Sequence, residues 1–217
     1  MSALAQESAL GSWLAAGLRC IGQIAIEYNE DGSFTLVHRD DASRNDLRHC
    51  ECAEDAGEIA RFDDAGNYRP LKTAPNLRHG WRLVLPEVTA LRIALDLFYP
   101  GRLAAFLAWE QSALIATPLR ATLERQTGMY RASAKISDGD ADTLVGNFCR
   151  SDGGCLRTIL WKRDEKDAVA STRLPSEKFD PRFDQTGSGA AVIPLLCQEA
   201  CNLLVAEARK TVRVGAE

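Results

Sequence analysis

The last third of the sequence contains two pairs of closely spaced cysteines, and these pairs constrain the fold more than any other feature. Cys149 and Cys155 enclose the segment RSDGG, and Cys197 and Cys201 enclose QEA, with forty-one residues between the pairs. Four convergent thiolates can bind a [4Fe–4S] cluster or a zinc ion. If they act together, two distant segments must meet in the fold; otherwise they are separate buried thiols.

Composition and charge limit the setting in which these cysteines act. The chain has 217 residues, of which 46% are hydrophobic, and a net charge of −4. This profile is typical of a globular protein and gives no support for nucleic-acid binding. No apolar run approaches the ~20 residues of a membrane span, so we expect no membrane association.

The N-terminal segment MSALAQESALGSWLAAGL lacks a basic region and carries Glu7. It predicts an amphipathic helix over residues 3–17 and no secretion signal, so we expect a cytoplasmic protein. A reducing compartment disfavours structural disulfides, and the seven cysteines are an odd number. Clustered cysteines in such a protein indicate metal or redox ligands.

The first part of the chain predicts a mixture of strands and helices. Residues Ile21–Tyr28 and Ser33–His38 flank the turn NEDG and predict a hairpin. Apolar residues at helical spacing predict helices over 87–99 and 102–112, and a third from Pro118 to about Thr127.

The cysteine-containing part is expected to begin near Gly128. Ser137 and Asp140 have the spacing of a capping box, and the helix that follows is predicted to end at Cys149. The segment LLCQEACNLLVAEARK after Pro194 predicts another helix. Cys197 and Cys201 would then share one face, with Cys197 in the first turn, where the helix dipole favours a thiolate.

These patterns predict an α+β protein in two domains. Residues 1–127 would form a small antiparallel sheet with several helices, and residues 128–217 would form a C-terminal cluster-binding domain. The spacing C-x5-C is loose for a zinc knuckle. The paired spacings C-x5-C and C-x3-C instead resemble the cluster motif of sulfite and nitrite reductases, although the chain has no counterpart to their siroheme-binding half.

Four segments together carry a broader resemblance, which spans roughly residues 70–210: LKTAPNLRHGWRL, LRATLERQTGMYR, CRSDGGCLRTILW and CQEACNLLVAEAR. They resemble a bacterial iron–sulfur module that is joined to short-type sirohydrochlorin cobaltochelatases. That module has a stabilising domain followed by a [4Fe–4S] domain. The resemblance implies a [4Fe–4S] cluster bound by Cys149, Cys155, Cys197 and Cys201. No segment here resembles the chelatase domain, so chelatase activity is not carried over.

The resemblance implies a cluster-binding protein that acts in electron transfer, redox sensing or as an accessory to tetrapyrrole or cobalamin metabolism. Ligation by four cysteines leaves no open iron position, so we expect a redox or accessory protein more than an enzyme that uses a free iron. The expected partner is a redox protein or a tetrapyrrole-pathway enzyme. The alternative is a structural zinc- or cluster-stabilised module that binds a partner enzyme. The sequence leaves the oligomeric state open.

Several other residues invite interpretation. Arg150, Arg157, Lys162 and Arg163 would favour reduction of an anionic cluster or dock an acidic partner, and otherwise they form a solvated surface. Trp161 would shield the cluster from water or simply pack. The segment HCEC, residues 49–52, could bind a second metal ion together with His38, although packed thiols in a loop are the simpler interpretation.

Overall fold

The structure is a computed structural model. It describes residues 3–15, 17, 20–68, 77–149, 157–159, 161–162, 169–170, 192–193 and 195–214. Only the backbone is described for residues 146–149, 157–159, 162, 169–170, 192–193, 195 and 214. Within these ranges, none of the helices has the length and apolar character needed to cross a bilayer.

The described elements fall into runs of short strands and runs of helices. In chain order they are α1 (Ala3–Ala15), β1 (Cys20–Ile21), β2 (Ile24–Tyr28), β3 (Phe34–His38), β4 (Arg48–Cys50), α2 (Asp55–Arg61), β5 (Trp81–Leu85), α3 (Val88–Phe98), α4 (Arg102–Glu110), α5 (Leu119–Glu124), α6 (Asp138–Cys149), β6 (Arg157–Ile159), β7 (Trp161–Lys162), β8 (Val169–Ala170), β9 (Val192–Ile193), β10 (Leu195–Cys197) and α7 (Asn202–Val214). Short 3₁₀ helices cover Arg39–Asp41 and Ser133–Lys135.

A six-stranded sheet organises the N-terminal part, with strand order β4-β5-β3-β2-β1-β9. The four inner strands are antiparallel, whereas β4 pairs parallel with β5 and β9 pairs parallel with β1. The predicted α+β class is therefore confirmed, with a mixed sheet in place of a wholly antiparallel one. The two parallel pairs arise because the outer strands come from segments distant in sequence from their partners.

The predicted hairpin is confirmed as β2 and β3, which pair in register from Ile24↔His38 to Tyr28↔Phe34. In the turn, Asn29 N–H donates to the Ser33 carbonyl at 2.9 Å. Gly32 has a φ of +87°, which residues with a Cβ rarely adopt. A local turn signal flanked by β-branched and aromatic residues was therefore sufficient to specify this element.

The first hydrophobic core lies between this sheet and helices α1 to α4. Trp81 on β5 is fully buried and stacks on Phe98 of α3, with ring centroids 5.1 Å apart. Trp13 of α1 packs against Phe106 of α4, with centroids 4.6 Å apart. The predicted helices over 87–99 and 102–112 are confirmed as α3 and α4. Their apolar faces supply much of this core.

A second core gathers α5, α6 and α7, together with residues of β7 and β10. Helix α6 packs against α7 and against β6. The chain from β9 to β10 links the two cores, because Leu196 is buried in the first and the adjacent Cys197 is buried in the second. The predicted division at residues 127/128 stays a prediction.

The predicted capping box at the start of α6 is confirmed. Ser137 Oγ accepts a hydrogen bond from Asp140 N–H at 3.1 Å, and Ser137 N–H donates to the Asp140 carboxylate at 2.9 Å. The Ser137 hydroxyl also donates to that carboxylate at 2.7 Å, and these bonds lower the pKa of Asp140. Helix α6 runs to Cys149, as the sequence predicted.

We expect Ser137→Ala to lower the free energy of unfolding by about 1 kcal/mol, because the Asp140 N–H loses its acceptor. For a chain of this length the melting temperature should fall by roughly 2–4 °C, measured by circular dichroism. Thr143→Ala is the matched control on the same helix. It removes only a hydroxyl that bonds back to the Gly139 carbonyl, so its effect should be small. Equal destabilisation by both changes would contradict the prediction.

Candidate metal centre

Cys197 is held at the end of a buried strand. Strand β10 pairs parallel with β6, in the register Leu195↔Arg157 to Cys197↔Ile159. Cys197 is 5% exposed, and its thiol donates to the Glu199 carbonyl at 3.2 Å. The ladder fixes the backbone of Cys197, and the bond to Glu199 orients its thiol. A sulfur held in this way is well suited to bind a buried metal centre.

Cys201 directly precedes α7 and caps its amino end. Its carbonyl accepts from Val205 N–H at 3.0 Å, and its sulfur accepts from Leu204 N–H at 3.5 Å. The free N–H groups and the dipole at a helix amino end stabilise negative charge. Cys201 is half-buried and packs against the second core. The chain therefore presents this sulfur in surroundings that favour an anionic ligand.

The predicted helix over LLCQEACNLLVAEARK was wrong in its first half. Residues Leu195–Cys197 form a strand, and the helix begins at Asn202. Cys197 and Cys201 therefore do not share a helix face, and the dipole acts on Cys201 instead of Cys197. Pairing with β6 and the bond from Arg102 Nη1 to the Leu196 carbonyl, at 3.2 Å, satisfy this backbone without a helix.

The structure locates the first cysteine pair less fully. Cys149 is the last residue of α6, and this helix packs against α7. The side chain of Cys149 lies outside the described part of the chain. Cys155 also lies outside the described residues, as do the side chains of Arg150, Arg157, Lys162 and Arg163. The structure thus places both Cys197 and Cys201 in the second core, at the two ends of a three-residue loop. The complete four-cysteine ligand set stays a prediction.

The surroundings of Cys197 fit an iron–sulfur cluster. The second core contains Trp161, Ala200 and Leu204 beside the two cysteines. The Trp161 side chain is 1% exposed, and its Nε1–H has no hydrogen-bond partner among the described residues. A buried N–H without an acceptor is costly, and the sulfurs of a cluster accept such bonds. An apolar site with a free indole donor suits a sulfur-rich group.

The other three cysteines lie in the N-terminal part. Cys20 is half-buried in β1, and burial raises the pKa of its thiol. Cys50 is buried in β4, where burial and then Asp55 raise the pKa of its thiol, while Cys52 is exposed. In the described ranges, no group of three metal-ligating side chains includes Cys50 or Cys52. His38 lies beside His79 and Asp40 instead.

Comparisons with known families identify two domains in this chain. Residues 8–110 match the DR2241 stabilising domain, and residues 111–210 match the 4Fe–4S iron–sulfur cluster binding domain. The chain therefore consists of a stabilising domain followed by a [4Fe–4S] cluster binding domain. All four predicted ligand cysteines lie within the second match.

A solved structure shows the same arrangement. DR2241 from Deinococcus radiodurans is 31% identical over an alignment that covers 99% of this chain, with a TM-score of 0.73. The chain spans 42% of the length of that protein. DR2241 is a multi-domain protein with structural similarity to chelatases and with two additional novel domains. A search of curated proteins found no match.

Proposed function

We propose that this protein binds one [4Fe–4S] cluster through Cys149, Cys155, Cys197 and Cys201 and acts in electron transfer or redox sensing. The observation that carries the proposal is the match of residues 111–210 to a cluster binding domain that contains both cysteine pairs. The second core supports it, since Cys197 is buried in this core and Cys201 packs against it.

When bound, a [4Fe–4S] cluster accepts and releases a single electron. The residues around it bind and shield it. The Leu204 N–H stabilises negative charge on the Cys201 sulfur. Trp161 and Leu204, both fully buried, exclude water from the same core. Four thiolate ligands would leave no iron free for a substrate, so electron transfer suits this ligand set better than Lewis-acid catalysis.

Anaerobic purification from iron-replete cells tests the proposal directly. We expect four iron and four sulfide per chain, together with a visible absorption band that bleaches reversibly on one-electron reduction. Absence of iron in such a preparation would rule out the cluster. Stoichiometric zinc, or a cluster that supports the fold but cannot be reduced reversibly, would favour the alternative of a structural module that binds a partner enzyme.

We further propose that the partner is an enzyme of tetrapyrrole or cobalamin metabolism. The support is the likeness to DR2241, in which regions similar to this chain occur in one polypeptide with a chelatase-like region. The test mixes the cluster-loaded chain with a short-type sirohydrochlorin cobaltochelatase and follows complex formation by sedimentation velocity. Co-sedimentation that is lost on cluster removal would support the proposal, and independent sedimentation would contradict it.

A further inference from the structure

Three potential metal ligands meet at one end of the strands of the N-terminal sheet, far in sequence from the four predicted cluster cysteines. His38 ends β3, Asp40 lies in the 3₁₀ turn that follows, and His79 lies just before β5. Because β3 and β5 are antiparallel neighbours, the carboxyl end of β3 lies beside the amino end of β5. The sheet therefore brings together two histidines that are separated by forty residues in sequence.

The separations between the three side chains suit a small cation. Asp40 Oδ2 lies 3.7 Å from His38 Nδ1 and 4.0 Å from His79 Nε2. These distances exceed those of hydrogen bonds. Tetrahedral coordination with bonds of about 2.1 Å would place ligand atoms about 3.4 Å apart. The two distances to Asp40 would therefore shorten by roughly 0.3 and 0.6 Å on binding one ion, and all three ligand atoms already lie within 4.8 Å of one another.

Asp64 orients the ring of His79. One oxygen of its carboxylate accepts a hydrogen bond from the backbone N–H of His79 at 2.6 Å. The other oxygen is hydrogen-bonded to the ring nitrogen Nδ1 of His79 at 2.9 Å. This bond raises the pKa of His79, and it places a ring proton on Nδ1. In the neutral ring the lone pair is then on Nε2, the nitrogen nearest Asp40. A carboxylate behind a histidine is the usual support of a metal-binding imidazole.

His38 is held in the form that a metal requires. Its side chain is fully buried, and burial lowers the pKa of the ring, which favours the neutral state. Nδ1 accepts from Asp40 N–H at 3.2 Å, so the proton of the neutral ring is on Nε2. That Nε2 is buried without a hydrogen-bond partner among the described residues. The lone pair of Nδ1 would therefore bind an ion in exchange for the bond from Asp40 N–H.

The charges around the three residues favour a cation. Asp41 and Asp64 add two carboxylates to that of Asp40. Asp41 is buried, and its carboxylate accepts a hydrogen bond from the Gly80 N–H at 2.7 Å. Arg44 pairs with Asp41, while the Arg39 Nε lies 3.6 Å from the other Asp40 oxygen. Leaving the two imidazoles aside, three carboxylates face two guanidinium groups, which leaves a net negative charge beside the three ligands.

We propose that His38, Asp40 and His79 form a binding site for a divalent transition-metal ion, independent of the iron–sulfur cluster. Two imidazoles and a carboxylate select zinc-like ions over magnesium and calcium, which prefer oxygen ligands. Three protein ligands leave at least one position for water or another ligand. Asp64 is a positioning residue, because it acts on the metal only through His79.

The test titrates zinc into the cluster-loaded, tag-free chain under anaerobic conditions and measures binding by calorimetry. A Cys50→Ser/Cys52→Ser background prevents binding by these thiols. We expect one zinc ion per chain and no response to magnesium. Asp64→Asn should weaken zinc binding by about tenfold to a hundredfold, and His79→Gln should weaken it at least as much. The side chains of Asp64 and His79 are both exposed, so we expect the two variants to fold. Circular dichroism checks that they do.

His49→Gln is the matched control, because His49 is exposed and lies outside the group of three. A second readout is the nitrogen-15 spectrum of the three histidine rings. Zinc should shift the ring nitrogens of His38 and His79 and leave those of His49 unchanged. The proposal is overturned if no zinc binds, if His79→Gln leaves the affinity unchanged, or if His49→Gln removes the binding. None of these outcomes depends on the ligands of the iron–sulfur cluster.

Discussion

Cys197→Ser is expected to remove most of the iron from the protein and to destabilise the C-terminal domain. Cys197 is fixed by the parallel ladder with β6 and is buried in the second core. A serine oxygen is a harder and weaker ligand for iron than a thiolate. Metal-binding free energy is also folding free energy, so cluster loss should loosen α6 and α7. Iron and sulfide analysis and hydrogen exchange measure these effects.

Cys20→Ser is the control for this prediction. Cys20 is half-buried in β1 and lies outside the region that matches the cluster binding domain. Its replacement should leave the iron content unchanged. Cys155→Ser should reproduce the loss seen with Cys197→Ser, because both are predicted ligands. Full iron retention in the two ligand variants would show that the cluster is bound by other sulfurs.

Arg102→Met is expected to weaken the attachment of strand β10 to the first core. Arg102 is 6% exposed at the start of α4, and its Nη1 donates to the carbonyl of Leu196, the residue before Cys197. Methionine keeps the apolar stem but removes this charged donor. Hydrogen bonds from charged groups contribute about 1.5–3 kcal/mol. For a chain of this length, the melting temperature should fall by roughly 3–12 °C. Because β10 positions Cys197, a chelator should also remove iron faster.

Arg92→Met provides the comparison within the same group of helices. Arg92 on α3 bonds to Glu7 of α1 at 3.1 Å, and both side chains lie at the edge of the first core. This substitution should lower the melting temperature modestly and leave the rate of iron release unchanged. Equal rates of iron release in Arg102→Met and wild type would show that the bond to Leu196 does not support the cluster site.

Elements with strong local signals were predicted well. The box formed by Ser137 and Asp140 fixed the start of α6, because its hydrogen bonds join residues three apart. The turn between β2 and β3 was predicted for the same reason. Helix α3 was predicted by its apolar spacing, and Leu91, Leu95 and Phe98 are indeed buried. In each case the decisive interactions lie within one turn or one helix face.

The segment around Cys197 was predicted wrongly because its partners are remote. Leu195–Cys197 has an apolar pattern that suits either a strand or a buried helix. The choice depends on β6, about forty residues earlier, and on Arg102, ninety-four residues from Leu196. The ligand geometry of His38 and His79 was missed for the same reason. Their spacing in sequence has no period, and only antiparallel pairing of β3 and β5 brings them together.

The sequence alone determined the chemistry and the local framework: four paired thiols, an α+β class, and helix boundaries at Ser137 and Cys149. These properties depend on residue type and on contacts between near neighbours. The tertiary structure alone decided that Cys201 and not Cys197 caps a helix, that Arg102 supports the strand beside the site, and that two histidines face one aspartate. Those outcomes depend on which distant backbone groups satisfy each other's hydrogen bonds once both cores have formed, and no local pattern encodes that choice.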